Sequence, residues 1–406
     1  MSLLESPTLK RVVRGQLCTG CGLCASLSPD TIKMGLVAPG YSRPTSLGPV
    51  TEAAEQKISQ TCAGAILAPW SGAPNIDAYW GPWRRVMTGH AVDESVRFHG
   101  SSGGIISALL IHALNGGLVD RVVHVLADPS NPTDNIMTCS TTPAEVLAGA
   151  GSRYTASSPL EQIEHELSRG GAMAFVGKPC DVSALRRLAT IDPRVDAHVK
   201  MAMSFFCGGM PSRNGVDRIV AAMGVERADV AAFRYRGQGW PGTAAAITHA
   251  GTTIEMSYSE SWGDFLSKEV QFRCKICPDA VGGAADIACA DAWYGDANGY
   301  PEFDERDGRS LIVSRTERGD RLLKDAVASG SIVTEPVDIR EVERMQPAQA
   351  RRKRLVGGRI AALTLTLQPR PDVRGAMVAE ASKRASTREG VRNFLGTVRR
   401  ILLSRR

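Results

Sequence analysis

Two hydrophobic periods alternate along the middle of this chain. In RFHGSSGGIISALLIHALNGGLVDRVVHVLA, a Ser/Gly turn opens an apolar helix, Gly116 and Gly117 stop it, and VDRVVHVL reads as a buried strand. PLEQIEHELSRG then predicts an amphipathic helix, AMAFVGKP a buried strand ending in a tight turn, and CDVSALRRLA the next helix. VKMAMSFFCGG repeats the pattern, with an apolar strand delivering Cys207 to a Gly-Gly loop. Residues 225–270 have strand and turn character around the loop RYRGQGWPG, and GRSLIVSRTERGDRLLKDAVASGSI predicts a further strand and helix. The expected fold is α/β (α+β) on a mixed sheet. Ligands of such sheets collect at the carboxyl ends of strands, so Cys180 and Cys207 are expected to face one site.

The pattern changes at both ends. Residues 30–85 are rich in Pro, Gly and Ser, with one helical stretch, TEAAEQKISQTCAGAI, that carries Cys62 near its end. GVRNFLGTVRRILLSRR sets Val391, Phe394, Leu395, Val398, Ile401 and Leu402 on one helical face with arginines opposite. Such a basic amphipathic helix suits an anionic membrane surface, a partner protein or the chain's own core. The expected organisation is a small N-terminal module over 1–85, a main domain over 86–350 and a basic helical tail over 351–406.

Composition narrows the class. The 406 residues, 43% hydrophobic and 22% charged, are those of a soluble globular protein with two or three domains. MSLLESPTLKRVVRGQ lacks the apolar core of a signal peptide, and no apolar run reaches membrane length, so a cytoplasmic location is expected. The net charge of +6 is mild and the aromatic content is only 5%, which argues against nucleic acid as a partner. Without an export signal, the ten cysteines at paired spacings read as reduced thiolates on metal, not as disulfides.

The cysteines divide into two sets. Cys18, Cys21 and Cys24 stand at CxxCxxC spacing with Gly20 and Gly22 between them, which favours a 4Fe-4S cluster over zinc. Ser28 occupies the place of a fourth ferredoxin-type cysteine. The fourth ligand is therefore assigned to Cys62, the alternative being a three-cysteine cluster with an exchangeable iron. Cys274 and Cys277 form a CxxC that needs two more thiolates, and Cys180 and Cys207 are the candidates for a second cluster. A zinc hairpin, or Cys180 as a reactive thiol at a helix N-terminus, is the competing reading. Cys139 and Cys289 are expected to be structural thiols.

Ser101, Ser102, Gly103 and Gly104 open a helix and offer backbone N–H groups and hydroxyls to a phosphate or flavin. A cluster protein doing hydride chemistry needs a converter between one and two electrons, which flavin supplies. His99, just before this turn, is a candidate proton donor. Arg97, Arg153, Lys178, Arg234 and Arg236 lie beside glycine-containing loops where they can neutralise an anionic cofactor or substrate. Asp286 and Asp291 in ADIACAD are candidates for capping or turn roles, with a catalytic role as the alternative.

RFHGSSGGIISALL, GSRYTASSPL, VGKPCDVSALRRL, FFCGG, YRGQGWPG, CKICPDAVGGAADIACADAW and, after RSLIVSRTERG, GGRIAAL together resemble the beta subunit of coenzyme F420 hydrogenases and dehydrogenases. The similarity runs collinearly from about residue 15 to 360. This resemblance implies an iron–sulfur flavoprotein with two 4Fe-4S clusters and FAD, fed by ferredoxin or a similar carrier. It implies that Cys18, Cys21, Cys24 and Cys62 hold one cluster, that Cys180, Cys207, Cys274 and Cys277 hold the cluster beside the flavin, and that the Ser101–Gly104 turn contacts FAD. The expected acceptor is coenzyme F420 or another conjugated ring such as a tetrapyrrole.

Overall fold

Eight strands form one mixed sheet whose centre is parallel and whose edges are antiparallel. The computed structural model describes residues 5–70, 72–295 and 301–403. In chain order the strands are β1 (Arg85–Ala91), β2 (Arg121–Asp128), β3 (Asn131–Ser140), β4 (Met173–Val176), β5 (Val199–Phe205), β6 (Ile287–Asp291), β7 (Ser310–Ser314) and β8 (Ile332–Pro336). Across the sheet they run β8-β1-β7-β6-β5-β4-β2-β3. Strands β2, β4, β5 and β6 are mutually parallel, while β3 at one edge and the β7, β1, β8 flank at the other pair antiparallel.

Parallel strands covered on both faces must be apolar throughout, which explains the uninterrupted runs in AMAFV and MAMSF. Met173, Ala174, Phe175, Met201, Ala202 and Met203 are all at most 1% exposed. Alternate residues supply two cores. Ala174, Met201, Met203 and Ile312 pack with Leu109 and Leu110 of the helix Ile105–Asn115 and Leu322 of Glu317–Ala328. Met173, Phe175, Val199 and Ala202 pack with Val182, Leu185 and Leu188 of Pro179–Ala189, and this second core also takes in Cys21, Leu23, Ala63 and Ala68. The N-terminal segment is thus packed on the same core as the sheet.

Three elements differ from the sequence pattern for physical reasons. PLEQIEHELSRG is helical only over Ile163–Ser168; ahead of it the N–H of Leu160 donates to Cys21 O at 2.9 Å, tying that segment to the N-terminal loop. The polar stretch that forms β3 carries no apolar period, and it is held as a hairpin partner of β2. Within the Pro/Gly/Ser-rich stretch, Ile32–Val37 and Tyr41–Ser46 form an antiparallel hairpin.

The basic end is not a free tail. The helix Pro347–Leu365 lies against Thr387–Leu402, joined by Arg354 Nε to Glu389 Oε2 at 3.1 Å and Arg359 Nη2 to Asn393 Oδ1 at 3.1 Å. Ile401 packs in a core with Leu363, Phe272 and Ile276. The expected apolar stripe is split by this docking: Ile401 is 8% exposed, whereas Val391, Leu395 and Leu402 are more than half exposed. The last three residues of that stretch, 404–406, lie outside the described residues. No helix among the described residues is long and apolar enough to cross a membrane.

Candidate functional site

The two cysteine sets read from the sequence line two separate cavities. Cys18, Cys21, Cys24 and Cys62 surround an outer one. Cys180, Cys207, Cys274 and Cys277 surround an inner one. Thr19 lines both, so a single residue of the CxxCxxC loop forms a shared wall.

Local chain geometry builds the outer cavity. Gly22 has φ +88° and begins the short helix Leu23–Leu27; a β-carbon there would stand 2.9 Å from Glu161 N. Glycine therefore lets the loop lie flush against residues 158–161, where Ser158 Oγ donates to Gly20 O at 3.0 Å. Cys62 arrives as the C-terminal cap of Glu52–Thr61, whose start is capped by Thr51 accepting from Ala54 N. Ser28 is turned away from the cavity, with its hydroxyl 2.6 Å from that of Thr31.

The inner cavity is assembled from the sheet. Val176 pairs with Met203 in parallel register, so the segments that follow β4 and β5 leave the sheet side by side. The first places Cys180 in the opening turn of Pro179–Ala189 and the second carries Cys207, whose N–H donates to Ala280 O at 2.8 Å. The bend at Gly209, φ +123°, brings Met210 N within 3.3 Å of Cys274 Sγ. Arg352, from the Pro347–Leu365 helix, donates to Cys207 O at 2.8 Å and closes one side.

The charges around these thiols follow the same division. Burial, reinforced by Asp181 and Cys62, pushes the Cys21 thiol up to about 12. Burial and Cys18 push Cys62 up to about 11, and burial with Cys21, Cys18 and Cys62 raises Cys24 strongly. On the inner side, burial and Cys274 push Cys207 up to about 12, and burial, Asp181 and the neighbouring thiols raise Cys180. Four thiols gathered away from water resist becoming thiolates unless a cation takes up the charge. Among the described residues no group of three or more His, Cys, Asp or Glu converges as a site for a single metal ion; the thiols are spread around cavity walls.

Lys178 belongs to the inner cavity. Its Nζ meets Asp181 Oδ2 at 2.8 Å and Ser157 Oγ at 3.0 Å; burial works to lower its pKa, but Asp181 and Cys180 outweigh it and raise it. Cys139 and Cys289 line neither cavity; burial pushes Cys289 up to about 12, and burial with Glu166 pushes Cys139 up to about 11.

The Ser101–Gly104 turn lies elsewhere, against β1 and β7. Gly103 N donates to Ser310 Oγ at 2.9 Å, the hydroxyls of Ser102 and Ser310 are 2.8 Å apart, and Ser152 Oγ donates to Ser101 Oγ at 2.7 Å. The GSRY loop is thereby held on the turn. His99 is half-exposed, with Nδ1 2.8 Å from Ser95 O. Arg153 is spent on structure: its Nη2 donates to Pro132 O at 2.7 Å and Asp134 O at 2.9 Å, and its guanidinium lies over Tyr235. Arg97 bonds Gly308 O at 2.9 Å, and Arg234 pairs with Glu255 at 2.7 Å. Arg236 is buried and pairs with Asp291 at 2.6 Å beneath Tyr258 and Trp293. Asp286 is no simple cap: fully buried, it binds Arg186 at 2.9 Å, Arg318 at 2.7 Å and Ala202 N at 2.7 Å.

Thr19, Arg273, Asp279 and Arg352 line the inner cavity without having been picked out by motif. The available signal was adjacency, since Thr19 follows Cys18 and Arg273 precedes Cys274.

The structure is thus a mixed α/β sheet with one thiol-lined cavity at its strand ends and another in the N-terminal segment packed on it. Family models described as coenzyme F420 hydrogenase/dehydrogenase, beta subunit N-term and C terminus, match residues 86–164 and 170–340, together more than half of the sequence. The chain belongs to this family. It is 28% identical over 274 residues to the coenzyme F420 hydrogenase subunit beta of Methanococcus voltae, covering 64% of this chain and 86% of that one. It is 22% identical over 312 residues to the chloroplastic 7-hydroxymethyl chlorophyll a reductase of Oryza sativa subsp. japonica, covering 75% and 60%. A chain of the F420-reducing [NiFe] hydrogenase complex from Methanosarcina barkeri shares the fold, with TM-score 0.53 and 22% identity over 68% of this chain and 91% of that one. Both family models begin after Cys62, so the outer cavity lies before the matched region.

Proposed function

We propose that this protein is an iron–sulfur flavoprotein oxidoreductase that passes single electrons through two 4Fe-4S clusters to FAD and then hydride to a conjugated ring, coenzyme F420 by default. The observation that carries this reading is the pair of four-cysteine cavities sharing Thr19 as a wall. The donor set fits the group: each cavity offers four thiols and neither draws on a cysteine of the other. When bound, the clusters supply one-electron steps and the flavin the conversion to a two-electron transfer.

The chain's own residues hold and insulate. Lys178 and Arg352 bring positive charge to the inner cavity, where four thiolates gather negative charge. The Ser101–Gly104 turn, with its apolar helix behind it, is the proposed flavin contact, and His99 the proposed proton donor beside it. Arg153, assigned to the cofactor from the sequence, acts in this reading through the GSRY loop that it anchors. Ferredoxin or a similar one-electron carrier is the proposed donor, and a cytoplasmic location accords with reduced thiols.

A tetrapyrrole acceptor is the second reading, favoured by the match to 7-hydroxymethyl chlorophyll a reductase, which extends over more of this chain than the F420 hydrogenase match does. A third is an electron-transfer subunit of a larger assembly, as the solved structural neighbour belongs to a complex. Anaerobic assays of the purified chain with reduced ferredoxin, F420 and 7-hydroxymethyl chlorophyll a separate the three. Turnover of F420 supports the leading proposal and turnover of the tetrapyrrole the second. Turnover of neither, with a stoichiometric partner recovered in a pulldown, overturns the stand-alone reductase.

A further inference from the structure

Between the two cavities lies a guanidinium that no motif explains. Arg273 is 2% exposed, lines the inner cavity, and reaches the outer side by donating from Nη2 to Ala63 O at 3.2 Å, next to Cys62. Its Nε is buried without a hydrogen-bond partner. Among the described residues it forms no ion pair and this one hydrogen bond, although a guanidinium carries five donors. A buried cation so poorly matched is destabilising unless a counter-charge compensates it.

Arg315, also buried and likewise with an unpartnered Nε, shows the contrast. Arg315 also lacks a carboxylate, yet it donates to the carbonyls of Trp80, Pro82 and Val281, so its place is accounted for by neutral acceptors. Arg273 has no such set. What it stands beside is thiol: it lines the inner cavity with Cys180, Cys207, Cys274 and Cys277, and its one acceptor, Ala63 O, belongs to the residue after Cys62. One side chain therefore reaches both quartets.

Resting on the proposed function, we infer that Arg273 is the positioning residue that couples the two metal centres, a single buried positive charge that favours the reduced state of both. The step it serves is balanced and simple. One electron leaves the outer centre and one arrives at the inner, with no bond made or broken, and the cation between them lowers the cost of the extra negative charge on either side.

The test is a redox titration, followed by electron paramagnetic resonance, of anaerobically purified wild type, Arg273→Lys and Arg273→Gln. The expected result is that Arg273→Gln moves both midpoint potentials to more negative values, while Arg273→Lys keeps both closer to wild type. A shift of the inner centre alone, or of neither, overturns the inference. Thermal melting of the iron-free proteins gives an independent readout that does not need loaded protein. With no metal to compensate the guanidinium, Arg273→Gln is expected to melt no lower than wild type; a lower melting temperature marks a structural role and overturns the inference. Wild type that holds no iron refutes the proposed function itself, which separates the two failures.

Discussion

The outer and inner cavities reach the same four-thiol composition by opposite routes. Three outer cysteines lie within seven residues of one loop, and only Cys62 comes from elsewhere, at the end of a capped helix. The inner cysteines come from three segments brought together by parallel register between β4 and β5 and by the CxxC loop before β6. One site is written locally and the other is a product of the fold. The outer site should therefore tolerate damage to the sheet better than the inner, and the inner should survive changes in the N-terminal loop.

Removal of a cysteine is expected to have the largest effect. Cys277→Ala should lose about four irons and leave the outer set loaded, while Cys62→Ala should do the reverse, each checked by iron analysis and resonance spectra. Loss of all iron from either variant breaks the independence of the two sites. Next in size is Asp286→Asn, which unpairs Arg186 on the helix that carries Cys180, and Arg318 on the opposite side. Arg318 is partly exposed, so a cost near the lower end of the roughly 3–5 kcal/mol for breaking a buried pair is expected in urea unfolding. Burial works to raise the Asp286 carboxyl, but Arg186 and Arg318 outweigh it and hold it below its ordinary value. Its stabilising contribution is thus complete above the ordinary aspartate pKa and is lost as pH falls through the lower folded value. The difference in urea midpoint between wild type and Asp286→Asn should accordingly narrow on moving from neutral to strongly acidic buffer.

Gly22→Ala is a local counterpart on the outer side. Its positive φ and the 2.9 Å approach to Glu161 N predict a loss of about 1–3 kcal/mol and weakened outer iron, with inner iron retained. Ser28→Ala should have the smallest effect, costing about 1 kcal/mol for the lost contact with Thr31 and no iron at all. Iron loss from Ser28→Ala shows that the serine, not Cys62 alone, completes the outer set.

The contrast also explains what could be read from the sequence. CxxCxxC spacing announces the outer loop because its ligands are neighbours in the chain, and the apolar strands announce the sheet because β4 and β5 are buried on both faces. Cys180 and Cys207 were legible through the rule that strand ends gather ligands. Arg273 and Arg352 were not, since a cation's meaning depends on what three-dimensional packing places beside it. The same reason hid the anchoring role of Arg153, whose acceptors are backbone carbonyls at the start of β3. The C-terminal stripe was legible as amphipathic, but which of its residues face inward is set by polar contacts at Glu389 and Asn393 that hydrophobicity does not report.

Iron and acid-labile sulfide per chain, measured on anaerobically purified wild type beside Cys62→Ala and Cys277→Ala, test the central claim most directly. The account predicts about eight irons with matching sulfide in wild type, falling by about half in each variant. Zinc in place of iron, or iron unchanged by both substitutions, would contradict it.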